Sequence, residues 1–426
     1  MRLRSVAFVA LVGFGSTAPP SRAVRTYQVG NLLYLESTDG KDTIRVGLDT
    51  AWGGAIVLVT YNRRELINRF DPGREIQVAL WDGEQTYDAC AGCSGTFGWN
   101  PVQAGDRYRH GSVLIEDSLA GDYLYTKTRP IEWFPDNKGG GADRPVATDV
   151  IMEQWVAISP WDWRLVHVRY RIMYAGQAPH GNSSQELPAV FVNREYDRFV
   201  YYAGTTPWTN GRIVDTMLPQ APPVPVLYMP EKWAALVDGQ GIGLTVYAPQ
   251  QYPYGGGRRV PGATGPKGFG LVYYRPLIYY SVLPGRVLTG DYVFVPGDYR
   301  VARDLLREIK DSLRTNDMVT PFGYVDTPRV GATVSDSVPV AGWAVDNDSV
   351  AKVEVFVDSA DIGTAQYGIA RPDLRRPYVA APLNAGFRYV LNTRLLRNGA
   401  HTIQVRVTDA SGNVALFKRV PVTVRN

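Results

Sequence analysis

The chain is poor in the residues that most readily announce a chemistry. It holds two cysteines and four histidines in 426 residues. No pair of histidines stands at metal-finger spacing to complete a four-ligand site with the cysteines, so zinc is not expected. No apolar run beyond the first fifteen residues approaches the roughly 20 that a membrane helix needs, so no membrane span is expected. There is no Gly-x-Gly-x-x-Gly turn, no phosphate loop, no His-Glu-x-x-His and no Gly-x-Ser-x-Gly elbow, so no cofactor is expected. A basic stripe is missing too. The formal charge is +4 and the pI about 8.8, but Lys and Arg are scattered singly among Asp and Glu, which excludes nucleic acid as a partner.

What is present begins with a leader. Arg2 and Arg4 precede an apolar run from Ser5 to Gly15, and Ser21-Arg22-Ala23 offers small residues at the two positions that a signal peptidase reads. Residues 1–23 are therefore expected to be a signal peptide, and the protein to be secreted or periplasmic. Removal takes away Arg2, Arg4 and Arg22 and no acid, so the charge of +4 falls to +1. In an exported protein Cys90 and Cys93, set in Asp-Ala-Cys-Ala-Gly-Cys-Ser-Gly, are expected to pair as a disulfide. A redox role would need a helix start inside an α/β unit, and the surroundings are Gly-rich and strand-like.

The length calls for two domains. The 43 Gly and 30 Pro punctuate short runs rich in Val, Ile, Tyr, Phe and Trp, the pattern of β-sandwiches. Ala55–Tyr61, Glu153–Ile158, Arg164–Tyr174 and Gly241–Tyr247 read as strands, and the third alternates apolar and polar residues, as a strand with one buried face does. Only Val301, Leu305, Leu306, Ile309 and Leu313 recur at helical spacing, which predicts one helix near 301–314 closing a large mainly β domain over 24–322. From 323 to 426, short strands such as Val338–Val345, Ala351–Asp358, Gly386–Leu391 and His401–Asp409 predict an immunoglobulin-like sandwich without its cysteine pair. Asp346-Asn347-Asp348 within it suits either calcium or an ordinary Asx turn.

Two resemblances follow from particular residues. Gly342-Trp-Ala-Val-Asp346, Val353-Glu-Val-Phe-Val-Asp358, Asn398-Gly-Ala-His401 and Val407-Thr-Asp-Ala-Ser-Gly-Asn413 resemble the bacterial Ig-like modules appended to exported enzymes and surface proteins. Trp52-Gly-Gly-Ala-Ile-Val-Leu-Val-Thr-Tyr61 followed by Glu65-Leu-Ile-Asn68 resembles the opening strands of the galactose-mutarotase-like supersandwich. That resemblance implies a fold shared by sugar epimerases, polysaccharide lyase domains and accessory domains of glycoside hydrolases. The His and Glu pattern of true epimerases is absent, so epimerase activity is not implied.

Two clusters could carry chemistry. The first joins Phe70–Gln77 to Gly98–His110, where Arg74, Gln77, Trp99, Asn100, Gln103 and Asp106 combine an aromatic face with amides, a carboxylate and a guanidinium. Such groups bind sugars by stacking on ring C–H groups and gripping hydroxyl pairs. The same residues also suit turns and a core plug. The second runs from His180 through Gln185, Glu186 and Pro188 to Trp208, with Ala178 to Gln185 read as a loop on a rigid sheet. Candidate catalytic groups are His180, Glu186, Asp106 and His110, with Glu153 as a further carboxylate. Candidate substrate-binding groups are Arg74, Gln77, Trp99, Asn100, Gln103 and Trp208. A hydrolase would need two carboxyl groups flanking the bond; a lyase acting on uronates would use Arg74 or Asn100 with His180 and one of the 26 tyrosines. His167 and His401 read as structural, and the glycine runs Gly139–Gly141 and Gly255–Gly257 as loops. The expected function is an exported carbohydrate-active protein that binds, and as hydrolase or lyase cleaves, a carbohydrate ligand. The alternative is a non-catalytic glycan-binding or adhesion protein held at the cell surface through its Ig-like domain.

Overall fold

The structure, a computed structural model, describes residues 23–69, 73–82, 98–159, 161–218, 226–227, 229–250, 254–260, 271–313, 319–346, 349–375, 378–379 and 382–426. The leader up to Arg22, Phe70 to Pro72, Cys90, Cys93, Asn347 and Asp348 lie outside these residues.

The chain is mainly β. A 13-stranded sheet and a 9-stranded sheet make the larger body, and a 4-stranded and a 6-stranded sheet make the C-terminal one. Alternation explains the packing. Val150–Ile158 and Val166–Tyr174 bury every second residue, and those positions meet Leu33, Leu35, Ile44, Val46 and Leu48 from the large sheet in one continuous core. Trp233–Val237 is instead buried at every residue, because the nine-stranded sheet is covered on both faces. Its second cover is the helix Tyr299–Ile309, which sets Ala302, Leu306 and Ile309 against Trp233, Val237, Val293 and Val295. Helical spacing alone placed this helix two residues late and included Val301, which is exposed. The helix starts earlier because the Asp298 side chain accepts from Arg300 N and satisfies a free first-turn donor.

Two stretches read as loops are strands. His180–Val192 is a thirteen-residue strand that pairs with Leu271–Val282 on one side and Ile76–Ala79 on the other. Pro188 sits inside the irregularity between Glu186 and Val190, where register is already interrupted, so its missing N–H costs no ladder bond. Gly255–Gly257 lie in the strand Tyr254–Val260.

The C-terminal body is an immunoglobulin-like sandwich with a core of Val, Ala, Leu, Ile and Phe centred on Phe387, Val355 and Val405. It is joined to the larger body by more than the connecting chain. Phe322 stacks on Tyr279 at 4.2 Å and meets Trp343 edge-on. Thr320 N donates to Tyr279 O. The two-residue strand Tyr378–Val379 pairs in parallel with Val226–Leu227, so a C-terminal segment forms the last strand of the 13-stranded sheet.

Candidate functional site

The site forms where two strands distant in sequence finish side by side. Strand Ile76–Ala79 continues into Leu80, Trp81 and Asp82, and the Gln185 side chain guides that continuation. Its Oε1 accepts from Trp81 N at 2.6 Å, while its Nε2 donates to Trp81 O and Tyr280 O at 2.9 and 3.0 Å. Asp82 is thereby delivered to the start of the long strand. Its Oδ1 accepts from Gly181 N and its Oδ2 faces His180 Nδ1, both at 2.9 Å. On the other side of the ring, His180 Nε2 lies 3.0 Å from the Tyr174 hydroxyl, which donates to Ala178 O at 2.8 Å. The phenol has one hydrogen: while it goes to Ala178 O the oxygen accepts from Nε2–H, and in the other tautomer of the ring it goes to Nε2.

Trp99 completes the cluster. Its ring lies parallel to His180 with centroids 3.7 Å apart and meets Tyr174 edge-on at 5.8 Å. Next to it, Asn100 N donates to Glu132 Oε2 and Asn100 Nδ2 to Leu80 O, each at 2.7 Å. Lys138 Nζ lies 3.1 Å from Glu132 and donates to Gly98 O. Burial pushes the Glu132 carboxyl up, against the pull of Lys138. Burial also raises the Tyr174 phenol, helped by Asp149 and Asp82, which keeps it protonated near neutrality. Asp82, Asn100, Glu132, His180, Tyr174 and Trp99 are all buried, the last three at 5%, 6% and 8% exposure.

The other residues singled out from sequence fall elsewhere. Gln77 and Gln103 belong to a buried amide ladder. Gln77 joins Gly73 O to Ala104 N, and Gln103 accepts from Val78 N and donates to Gln154, whose own amide donates to Gly54 O. Asp106 and His110 form a compact loop in which Asp106 accepts from Tyr108 N and His110 N and faces His110 Nδ1 at 2.7 Å. Glu186 accepts from Tyr273 and Arg275. It is six residues from His180 along the same strand, roughly 20 Å away. Trp208 lies against the nine-stranded sheet, its N donating to the buried Glu231. Glu153 pairs with Arg171 and Tyr125 on that sheet. Arg74 is half-buried at the entry to strand Ile76–Ala79. Of the ten candidates, then, His180, Trp99 and Asn100 come together.

Asp82, Tyr174, Glu132 and Lys138 were not singled out from sequence. The alternation of Val166–Tyr174 does point Tyr174 inward, which was the available signal for it. Nothing local marks Asp82.

Residues 321–405 match the family described as Bacterial Ig domain. No curated protein matches the chain. Among solved structures, a heparan sulfate lyase from Pedobacter heparinus overlaps with TM-score 0.34 and 7% identity, over 96% of this chain and 44% of that one. A galactose 1-epimerase from Lactobacillus acidophilus overlaps with TM-score 0.33 and 9% identity, over 66% of this chain and all of that one. An endo-β-1,4-mannanase from Thermotoga petrophila overlaps with TM-score 0.20 and 16% identity, over 29% and 24%. The chain spans less than half of the lyase and about a quarter of the mannanase, and overlap at this level carries no inference about activity.

Proposed function

We propose that this is an exported carbohydrate-active protein that engages a glycan at the Trp99, His180 and Tyr174 end of the large sandwich and transfers a proton there through Tyr174. One observation carries this reading: Asp82, His180 and Tyr174 form an unbroken hydrogen-bonded line, with the Trp99 indole lying on the imidazole. A carboxylate that fixes a His, which in turn faces a hydroxyl, is the arrangement that general acid–base catalysis uses. Tyr174 would be the group that meets the substrate, with His180 and Asp82 as positioning residues.

The pattern favours elimination from a uronate over hydrolysis. Hydrolysis needs two carboxyl groups facing the scissile bond. Here two of the three nearby carboxylates are committed inward, Asp82 to His180 and Gly181, and Glu132 to Asn100 and Lys138, which leaves Asp149 as a single exposed carboxylate near Tyr174. Elimination needs a base for the C5 proton and an acid for the leaving oxygen; Tyr174, with its own proton passed to His180 Nε2, would take the C5 proton and return a proton to the leaving oxygen. The non-catalytic alternative, a glycan-binding protein, is favoured by one specific feature: the polar atoms of His180 and Asp82 are saturated by protein partners and buried.

The test is incubation of the full mature chain with uronate and neutral polysaccharides, following new reducing ends and the ultraviolet absorbance of unsaturated products. Unsaturated products that fall about 100-fold in Tyr174→Phe, with the fold intact, are the expected result. Reducing ends without unsaturation point to hydrolysis. Binding without turnover selects the non-catalytic reading.

A further inference from the structure

The outer face of the 13-stranded sheet carries a second feature, far from His180. Four antiparallel strands, Ala23–Val29, Leu32–Thr38, Thr43–Asp49 and Ala55–Tyr61, turn Leu33, Leu35, Ile44 and Val46 inward. The intervening residues therefore line up across the strands on the opposite face. Register sets Arg25 beside Glu36, Glu36 beside Arg45, Arg45 beside Thr60 and Thr60 beside Glu65. The neighbouring row is Tyr27, Tyr34, Gly47 and Leu58. The result is a charged ladder alongside an aromatic floor, bordering a cleft of about 370 Å³ lined by Tyr34, Arg45, Thr60, Arg63 and Arg69 among others. That volume suits one or two sugar rings.

Three details give the cleft a preference. Glu36 is already neutralised, since Arg25 Nε reaches it at 2.8 Å and Arg45 grips it with two nitrogens at 2.8 and 2.6 Å, which holds its carboxyl below the usual range. Glu65, the other carboxylate of the lining, lies 3.3 Å from Arg69, so Arg63 gives the lining its cationic excess. Gly47 leaves room for Tyr34, because a β-carbon there would lie 3.3 Å from the Tyr34 ring and 3.1 Å from Leu58 Cβ. Arg63 has no hydrogen-bond or ion-pair partner among the described residues. It occupies a hairpin turn with Asn62, at φ 66 and 48 respectively. Turns with two positive φ angles favour Asn-Gly, so the second position, where glycine fits best, presents a free guanidinium to the cleft instead.

We propose that this cleft is a binding subsite for an anionic sugar, a uronate unit whose carboxylate is taken by Arg63 while its ring lies beside Tyr34. Guanidinium forks match carboxylates two bonds at a time. The subsite is distinct from the proposed catalytic end. Ile56 is level with Ile76 and Val190; Thr60 lies four residues to one side of that level and His180 ten to the other, more than about 30 Å apart along the strands. It would hold a distant part of a long acidic chain.

The experiment is calorimetric titration of the full mature chain with tetragalacturonate, with neutral galactotetraose as the control. Arg63→Gly is the central variant, because glycine suits the backbone at that position and folding is preserved; Tyr34→Ala is the second. Expected are binding of the uronate at least tenfold tighter than of the neutral tetramer and a tenfold or greater loss in each variant. Equal binding of the two tetramers, wild-type affinity in Arg63→Gly, or no binding at all overturns the proposal. Loss in Tyr174→Phe with wild-type binding in Arg63→Gly assigns the uronate to the catalytic end alone. Binding lost only in Arg63→Gly and Tyr34→Ala, with no turnover on any polysaccharide, retains this subsite while the catalytic reading fails.

Discussion

The two bodies of this chain are sandwiches built on the same alternation, yet they bury different things. The C-terminal core is Val, Ala, Leu, Ile and Phe, and the polar residues buried with it are the few at Asp346, Glu354, Thr393 and Asp409. The larger body also holds Gln77, Asp82, Asn100, Gln103, Glu132, Gln154, His180, Gln185 and Glu231 out of water. Burying a polar group costs free energy unless a partner replaces water, and here amides, carboxylates and backbone are matched group for group. An apolar core tolerates repacking; a polar one demands a unique arrangement. The comparison teaches that the larger body has been shaped around specific positions, and the smaller one around stability.

The sharpest way to break that comparison is at Glu231. It accepts from Trp208 N, Trp233 Nε1 and the Nε and Nη2 of Arg303, so Glu231→Ala strands a largely buried guanidinium. The expected loss is about 3–5 kcal/mol in urea unfolding of the larger body, with the transition of the Ig-like body unmoved. A loss under about 1 kcal/mol would mean that the network is ornamental.

Acidification is the next lever. Burial, aided by Arg169, lowers His167 from 6.5 to about 4. Between those values the unfolded chain binds a proton that the folded one refuses, so stability falls as pH drops from about 6.5 toward 4. The expected loss from this residue is about 2–3 kcal/mol, and His167→Phe flattens the pH profile over that window.

Gln103→Leu should cost less, about 1–3 kcal/mol, because it leaves Val78 N and Gln154 Oε1 without partners; thermal unfolding measures it. The smallest effect is expected at the exposed pair Arg198 and Asp215, where Arg198→Ala should change stability by less than about 1 kcal/mol. A larger loss there would show that the surface contributes as much as the buried network.

Much of the architecture was legible because strand periodicity is local. Ala55–Tyr61 matches its predicted limits and Val166–Tyr174 keeps the predicted alternation. The His180 strand was read as a loop because Gly181, Asn182, Ser183 and Ser184 are weak strand formers, and pairing on both sides outweighs that preference. The cluster was only partly legible for a related reason. His180, Trp99 and Asn100 stood out by residue type, but Asp82 joins them through a register set almost a hundred residues away in sequence. The Arg–Glu–Arg ladder went unseen because its rungs lie on separate strands, each carrying one unremarkable charge.

The two-residue pairing of Val226–Leu227 with Tyr378–Val379 bears on self-association. A sheet edge with unpaired N–H and C=O groups is a template onto which another chain can grow. In the intact protein this edge is already taken by the molecule's own C-terminal body, which acts as a stopper. A chain severed after the large sandwich would uncover the strand Val226–Leu227, and its failure would be polymerisation through that edge rather than loss of fold.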